Sequence, residues 1–120
     1  MAEVITEKRY LKDLINLTYA IKLRPGLYIG KKSIVRLHQF LNGFSEAYYY
    51  IDAENKNFGV YPGFQEWIYN KYRAEEAISW SSIILDHSDN EEEAVDLFFE
   101  EVEIYIEQKR WLKILETEDE

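Results

Sequence analysis

Apolar side chains recur at intervals of three and four residues along nearly all of this 120-residue chain. This spacing places them on one side of an α-helix, whereas a half-buried strand would alternate at every second residue. Only two prolines interrupt the pattern, and 47% of the residues are hydrophobic, which gives enough apolar area for a core. The sequence therefore predicts an all-α fold, a single compact domain of about five helices.

Capping residues and helix breakers set the predicted boundaries of the first helix. Thr6 is placed to cap a helix over residues 6–23. This helix must stop before Pro25, because proline disfavours helical geometry in the residue that precedes it. Pro25 and Gly26 fit the two central positions of a type II turn.

The remaining helices follow the same signals. Ser33 is placed to cap a second helix with one apolar stripe that reaches Ile51, and a loop over residues 53–63 follows. A capping box at Ser88 introduces the last long helix. The three predicted helices after the loop cover residues 64–74, 77–85 and 91–113.

Several classes of protein are excluded by composition. The chain has no cysteine, which excludes a disulfide framework, a cysteine zinc site and a cysteine nucleophile. Its longest uncharged runs are nine residues, against roughly 20 for a membrane span, and the first residues lack the features of a secretory signal. We expect a cytoplasmic protein with a helical domain over residues 1–115 and a frayed acidic tail over residues 116–120.

Charge is distributed unevenly along the chain. Residues 1–90 carry 11 acidic and 11 basic side chains, while residues 91–120 carry 12 acidic and three basic ones, so the net charge of −9 arises in the last quarter. Such a field repels phosphate backbones and anionic lipids. We therefore expect neither direct nucleic-acid binding nor membrane binding, and the charge favours a basic partner.

Motifs for catalysis and for metal or cofactor binding are absent from the sequence. It lacks a nucleophile elbow, a phosphate-binding loop, a dinucleotide fingerprint and ligand spacing for a metal. The two histidines, His38 and His87, are 49 positions apart. We therefore expect no enzymatic activity and no cofactor; a small hydrolase that uses His38 with carboxylates is the weaker alternative.

An acidic stripe runs along the last predicted helix. Its members recur at spacings of 4, 4, 3 and 4, which places them on one face: Glu92, Asp96, Glu100, Glu103 and Glu107. Like charges four residues apart destabilise a helix by a few tenths of a kcal/mol each. Two interpretations remain open at this point, an ordinary solubilising face and a docking surface for a basic protein.

A basic patch surrounds the predicted turn. It consists of the five cations in a stretch without acidic residues: Lys22, Arg24, Lys31, Lys32 and Arg36. The patch could hold an anion at the start of the second helix. The preferred interpretation is that it meets the acidic face of its own fold or of a second copy, which would give a homodimer.

Three consecutive tyrosines provide a further candidate contact. Tyr48, Tyr49 and Tyr50 cannot all face the core, because successive helical side chains are about 100° apart. Tyr49 is in register with the polar residues His38, Asn42 and Ser45, so we expect it outside. Tyrosine is a favoured interface anchor, and Tyr49 joins the stripe among the predicted partner-binding residues.

The order of several short motifs resembles that of small bacterial immunity proteins, which belong to polymorphic and contact-dependent toxin systems. The motifs that carry this resemblance are Arg24-Pro25-x-Leu27-Tyr28-Ile29-Gly30, Ser33, Leu37, Phe40-Leu41-x-Gly43, Phe64-x-x-Trp67, Trp80-x-x-Ile83, Glu93-Ala94 and Phe98-Phe99. The resemblance implies a helical protein without a cofactor that binds a toxin domain encoded by a neighbouring gene and blocks it at or near its active site.

A nuclease is the expected target, because enzymes that act on nucleic acids present basic clefts, which a row of carboxylates can occupy in place of phosphates. The sequence thus predicts an immunity protein whose block is steric and electrostatic. A homodimeric helical protein without a toxin partner is the alternative from another class.

Overall fold

The computed structural model describes residues 3–76 and 78–116, and its regular structure there is helical apart from one bridge between Glu3 and Asp52. Seven helices follow one another in these ranges: α1 (Glu7–Leu23), α2 (Pro25–Ile29), α3 (Ile34–Ile51), α4 (Phe64–Lys71), α5 (Trp80–Asp86), α6 (Glu91–Gln108) and α7 (Leu112–Leu115). The predicted all-α single domain is confirmed. The predicted number of five helices is wrong, because the short helices α2 and α7 replace a turn and the end of the last helix.

The first helix begins and ends as the sequence predicts. Thr6 Oγ1 accepts a hydrogen bond from the Arg9 N–H at 3.0 Å, and the helix ends at Leu23. Pro25 does not form a type II turn but is the first residue of α2. Proline suits that position, because its φ is already helical and its missing N–H would have no helical partner there. The last residue of α2 is Ile29, and the residue that caps its end, Gly30, has a φ of 81°, which favours glycine.

α3 begins as predicted but buries less of its C-terminal half. Ser33 Oγ accepts a hydrogen bond from the Arg36 N–H at 3.2 Å. Tyr48 is only half-buried, and Ile51 is 56% exposed although the stripe predicted it inside. The buried position at this end belongs instead to the next residue, Asp52.

Hydroxyl groups from three helix positions hold the loop between α3 and α4 from the inside. The hydroxyls of Tyr10 and Ser45 lie 2.5 and 2.8 Å from the carbonyl oxygen of Gly59, and the Tyr105 hydroxyl donates to the carbonyl of Pro62 at 2.5 Å. Burial raises the pKa of Tyr10 to about 12, so this hydroxyl keeps its proton at neutral pH. The loop is therefore fixed to the core through its own backbone.

α4 and α5 are both shorter than predicted. α4 ends at Lys71, and two residues later Arg73 has a left-handed φ of 53°, which stops the helix before the predicted end at 74. α5 begins at Trp80, with Ser79 Oγ accepting a backbone hydrogen bond at 3.2 Å as its cap. The predicted start at residue 77 lies outside the described residues.

The cap of α6 differs by two residues from the predicted one. Asn90, not Ser88, caps the helix: its Oδ1 accepts from the Glu93 N–H at 2.9 Å, while Glu93 Oε2 accepts from the Asp89 N–H at 3.1 Å. The capping box predicted at Ser88 is therefore wrong: the cap lies two residues later, and Glu93 bonds the N–H of Asp89 instead of that of the cap residue.

α6 ends at Gln108, before the predicted end at 113. Arg110 has a φ of 59°, and the Trp111 N–H bonds to a carbonyl five residues back at 3.0 Å, as in a Schellman motif. Trp111 is buried, whereas Leu112 is 40% exposed. Residues 117–120 of the predicted tail lie outside the described residues.

The buried side of α6 is the centre of the packing. α6 packs against α3 and α5, while α1 contacts α2 and α7. Phe98 of α6 is fully buried, with ring centroids 5.1 Å from Trp80, 5.9 Å from Tyr61 and 6.1 Å from Phe64.

Within the described part of the chain, no helix has both the length and the apolarity that crossing a bilayer requires.

One buried carboxylate joins the N-terminal segment to the end of α3. Asp52 is 2% exposed; its Oδ1 accepts from the Ile5 N–H at 2.8 Å, and its Oδ2 accepts from the N–H and the Nζ of Lys56 at 2.9 and 2.8 Å. Burial opposes ionisation, but the bonds from Lys56 and Ile5 outweigh it and hold the pKa of Asp52 well below its ordinary value.

Replacing Asp52 by asparagine tests this junction. An ordinary aspartate has a pKa of about 3.9, so the stabilisation by ionised Asp52 is present at neutral pH and is lost progressively as the pH falls below that value. We expect D52N to have a lower Tm than the wild type at pH 7, with the difference narrowing from pH 4 toward pH 2. Thermal unfolding followed by circular dichroism measures this; a difference that is constant with pH contradicts it. E46Q, at an exposed position, is the control.

Candidate functional site

Helix geometry brings the five carboxylates of the acidic stripe to one side of α6. At about 100° per residue they fall within an arc of roughly 80°, outside the buried side of the helix. Four of them are exposed and Glu103 is half-buried. The stripe is therefore a continuous feature of the surface, as its spacing predicts.

The basic patch contacts this stripe within the same chain. Lys22 Nζ donates to Glu103, and Lys32 Nζ donates to Asp96 Oδ1 at 2.5 Å. The hydrogen bond to Glu103 raises the pKa of Lys22 above its ordinary value. The preferred interpretation of the patch, that it meets the acidic face of its own fold, is confirmed for these two lysines.

The start of α3 adds a third contact between the two regions. Ser33 Oγ donates to Glu91 Oε1 at 2.7 Å, and this bond lowers the pKa of Glu91. The position at which the sequence allowed an anion thus already holds a carboxylate of the same chain. Glu91 accepts the hydrogen bonds that an external anion could have accepted at the start of α3.

Three members of the stripe keep their charge unpaired. Glu92, Glu100 and Glu107 are exposed and have no ion-pair or hydrogen-bond partner among the described residues. They lie on one rigid helix, on the side that faces solvent. This remaining acidic surface is what the stripe offers to another molecule.

A groove of about 350 Å³ lies between the patch and the stripe. One wall carries the two paired lysines, and the other carries Asp96 and Glu100. Pro25 and Phe99 contribute apolar atoms between the walls. The groove thus combines an apolar floor with a charged rim.

Tyr50, not Tyr49, is the tyrosine that α3 displays. Tyr50 is 71% exposed, whereas Tyr49 is half-buried with its ring 5.2 Å from that of Tyr50. The expectation for Tyr49 is wrong because, of the polar row with which it is in register, only Asn42 is exposed. Ser45 is buried against the loop after α3, and His38 is half-buried beside α5.

Glu101 forms a buried ion pair that the sequence interpretation missed. It is 3% exposed and accepts from Lys71 Nζ at 2.6 Å, while its Oε2 is buried without a hydrogen-bond partner among the described residues. Lys71 Nζ also lies 4.9 Å from the ring centre of Trp67. A signal was present: Glu101 follows Phe98 by three residues and precedes Tyr105 by four, which places it on the buried side of the helix.

The two histidines lie in different surroundings, and neither has a carboxylate partner among the described residues. His38 Nδ1 lies 2.6 Å from Ser81 Oγ, and burial lowers the pKa of His38. His87 Nδ1 lies 2.9 Å from the carbonyl oxygen of Ile83, and its ring packs 4.4 Å from Tyr72. The structure therefore does not bring together the pair of His38 and a carboxylate on which the hydrolase alternative depends.

Neither a search for metal-binding clusters among the described residues nor comparison with known proteins indicates a function. The described residues contain no group of three histidine or carboxylate side chains that could hold a metal ion. Comparison with protein-family models, with curated proteins and with solved structures finds no match.

The ion pairs of Lys71 and Lys22 differ in the burial of their carboxylates, because Glu101 is buried and Glu103 is only half-buried. Lys71→Met keeps the length of the side chain but leaves the buried Glu101 without its cation, so we expect a loss of about 1–3 kcal/mol in the free energy of unfolding. Lys22→Met removes an exposed pair and should have a much smaller effect. Urea denaturation of both variants measures this. An equal effect of the two substitutions would show that the buried pair has no special role.

Proposed function

We propose that this protein is an immunity protein, which binds a cognate toxin domain in the cytoplasm and neutralises it without transforming any molecule. The resemblance of its motif order to such proteins supports the proposal. So does its charge, because the excess of carboxylates favours a basic partner.

The observation that carries the proposal is the unpaired part of the stripe. Glu92, Glu100 and Glu107 stand on one exposed face of α6 and remain uncompensated although cations of the same chain neutralise Asp96 and Glu103. A row of fixed carboxylates is complementary to the basic cleft of an enzyme that acts on nucleic acid. We therefore propose a nuclease domain as the target, blocked by steric occlusion and by charge.

Partner contacts are then assigned as follows. Glu92, Glu100 and Glu107 make the main charged contacts, while Asp96 and Glu103 contribute through their second oxygens next to the paired lysines. On α3, Tyr50 takes the role of aromatic anchor, since it is far more exposed than Tyr49.

The homodimer alternative loses its electrostatic basis. It requires the basic patch of one copy to meet the stripe of another, yet Lys22 and Lys32 already contact Glu103 and Asp96 of their own chain. A second copy would have to break these bonds before it could form its own. We therefore favour binding of a different protein.

Charge reversal at the unpaired positions tests the proposal. The probe is the C-terminal domain of the toxin that the proposal expects a neighbouring gene to encode, produced with and without the present protein. We expect the wild type to bind this domain and suppress its toxicity, and E92K/E100K/E107K to lose both by at least about 100-fold in affinity, because three charge contacts become repulsive. Calorimetry and a growth assay measure the two effects.

A matched variant separates the stripe from net charge. E46K/E75K/E76K changes the net charge equally at three exposed carboxylates outside α6, and it should bind as the wild type does. Asp96 and Glu103 are left intact, since their reversal would also break the pairs with Lys32 and Lys22. An equal loss of affinity in both triple variants would show that net charge, and not the position of the stripe, determines binding. A wild type that fails to bind the domain would refute the proposed function.

A further inference from the structure

The groove between the patch and the stripe is lined by one charged residue that has no ion-pair partner among the described residues. Lys22 and Lys32 form its cationic wall, and each is bonded to a carboxylate of α6. Glu100 lines the opposite wall and has no partner among the described residues. The charge that an occupant of this groove can compensate is therefore negative, and the occupant is a cation.

The groove also requires an apolar contact from its occupant. Pro25 and Phe99 supply apolar atoms to its lining. Val95 adds to this apolar part of the lining. A small inorganic cation would leave these apolar surfaces in water, whereas a side chain with an aliphatic stem and a charged head would cover them.

From this lining we propose that the groove receives an arginine side chain presented by the protein partner. Asp96 and Glu100 are four residues apart and thus neighbours on the helix surface. Lys32 is bonded to Asp96 Oδ1 only, so Oδ2 can still accept. A guanidinium carries five donors in a planar fork and can bond both carboxylates, while a lysine ammonium acts as a point charge. The inference deepens the proposed function, on which it rests for the protein partner.

The test is a titration of the full-length, ¹⁵N-labelled protein with N-acetyl-arginine amide, followed by NMR. We expect saturable shifts of the backbone amide signals of Phe99 and Glu100. N-acetyl-citrulline amide has nearly the same shape without the charge and should leave these signals unmoved. E100Q should weaken the apparent affinity for the arginine probe by about tenfold, the factor that corresponds to losing one charge-assisted hydrogen bond.

The control variant is E107Q, which removes the same charge from the same face of α6 outside the groove lining. It should bind the arginine probe as the wild type does. The proposal is overturned if E100Q and E107Q behave alike, if the citrulline probe produces the same shifts, or if the arginine probe moves the signals of Glu92 and Glu107 as much as that of Glu100. Glu100 is exposed, so E100Q is expected to fold, and its circular dichroism spectrum verifies this.

Failure here and failure of the proposed function are distinguishable. The titration uses the isolated protein and a small probe, so a negative result refutes the arginine site in the groove but does not bear on the neutralisation assay. Conversely, a toxin domain that is not bound would refute the immunity function, while selective shifts at Phe99 and Glu100 would still support an arginine site.

Discussion

The packing of Phe98 among aromatic rings from three other segments determines the orientation of α6. Tyr61, Phe64 and Trp80 surround this side chain, and it is fully buried. A rotation of the helix by one residue position, about 100°, would expose Phe98 and bury carboxylates. Because burying large aromatic surface is among the strongest contributions to a small core, the rings fix the direction in which every acidic side chain of α6 points.

That orientation divides the acidic excess into three environments. Toward the basic patch, Asp96 and Glu103 are bonded to lysines of the same chain. On the other edge, Glu101 is buried and is paired with Lys71, which is exposed. The other members of the stripe, Glu92, Glu100 and Glu107, are exposed and have no partner among the residues that the structure describes. The net charge of the chain therefore overstates what a partner encounters, and the position of each carboxylate matters more than the total.

The all-α architecture was predictable because apolar spacing and caps such as Thr6 and Ser33 are local signals. Prediction was weaker where the outcome depended on distant parts of the chain. The spacing placed Tyr49 in a polar row, but the loop packed against Ser45 covers part of this row while Asn42 stays exposed. Ion pairing between Lys22 and Glu103 spans 81 positions, so charge clustering could indicate the contact but not assign the partners. Likewise, the spacing places Glu101 on the buried side of α6, but only the position of α4 identifies Lys71 as its cation.

The backbone of the loop between α3 and α4 is held by hydroxyl groups of helix residues, in addition to the loop's own buried Tyr61. Tyr10 and Tyr105 each supply both a buried ring and a donor for a loop carbonyl. Phenylalanine would preserve the packing at either position but remove the hydrogen-bond donor to the carbonyl of Val60 or of Pro62. Drift in this sequence should therefore tolerate exchange among the purely hydrocarbon members of the core more readily than the loss of a single phenolic oxygen.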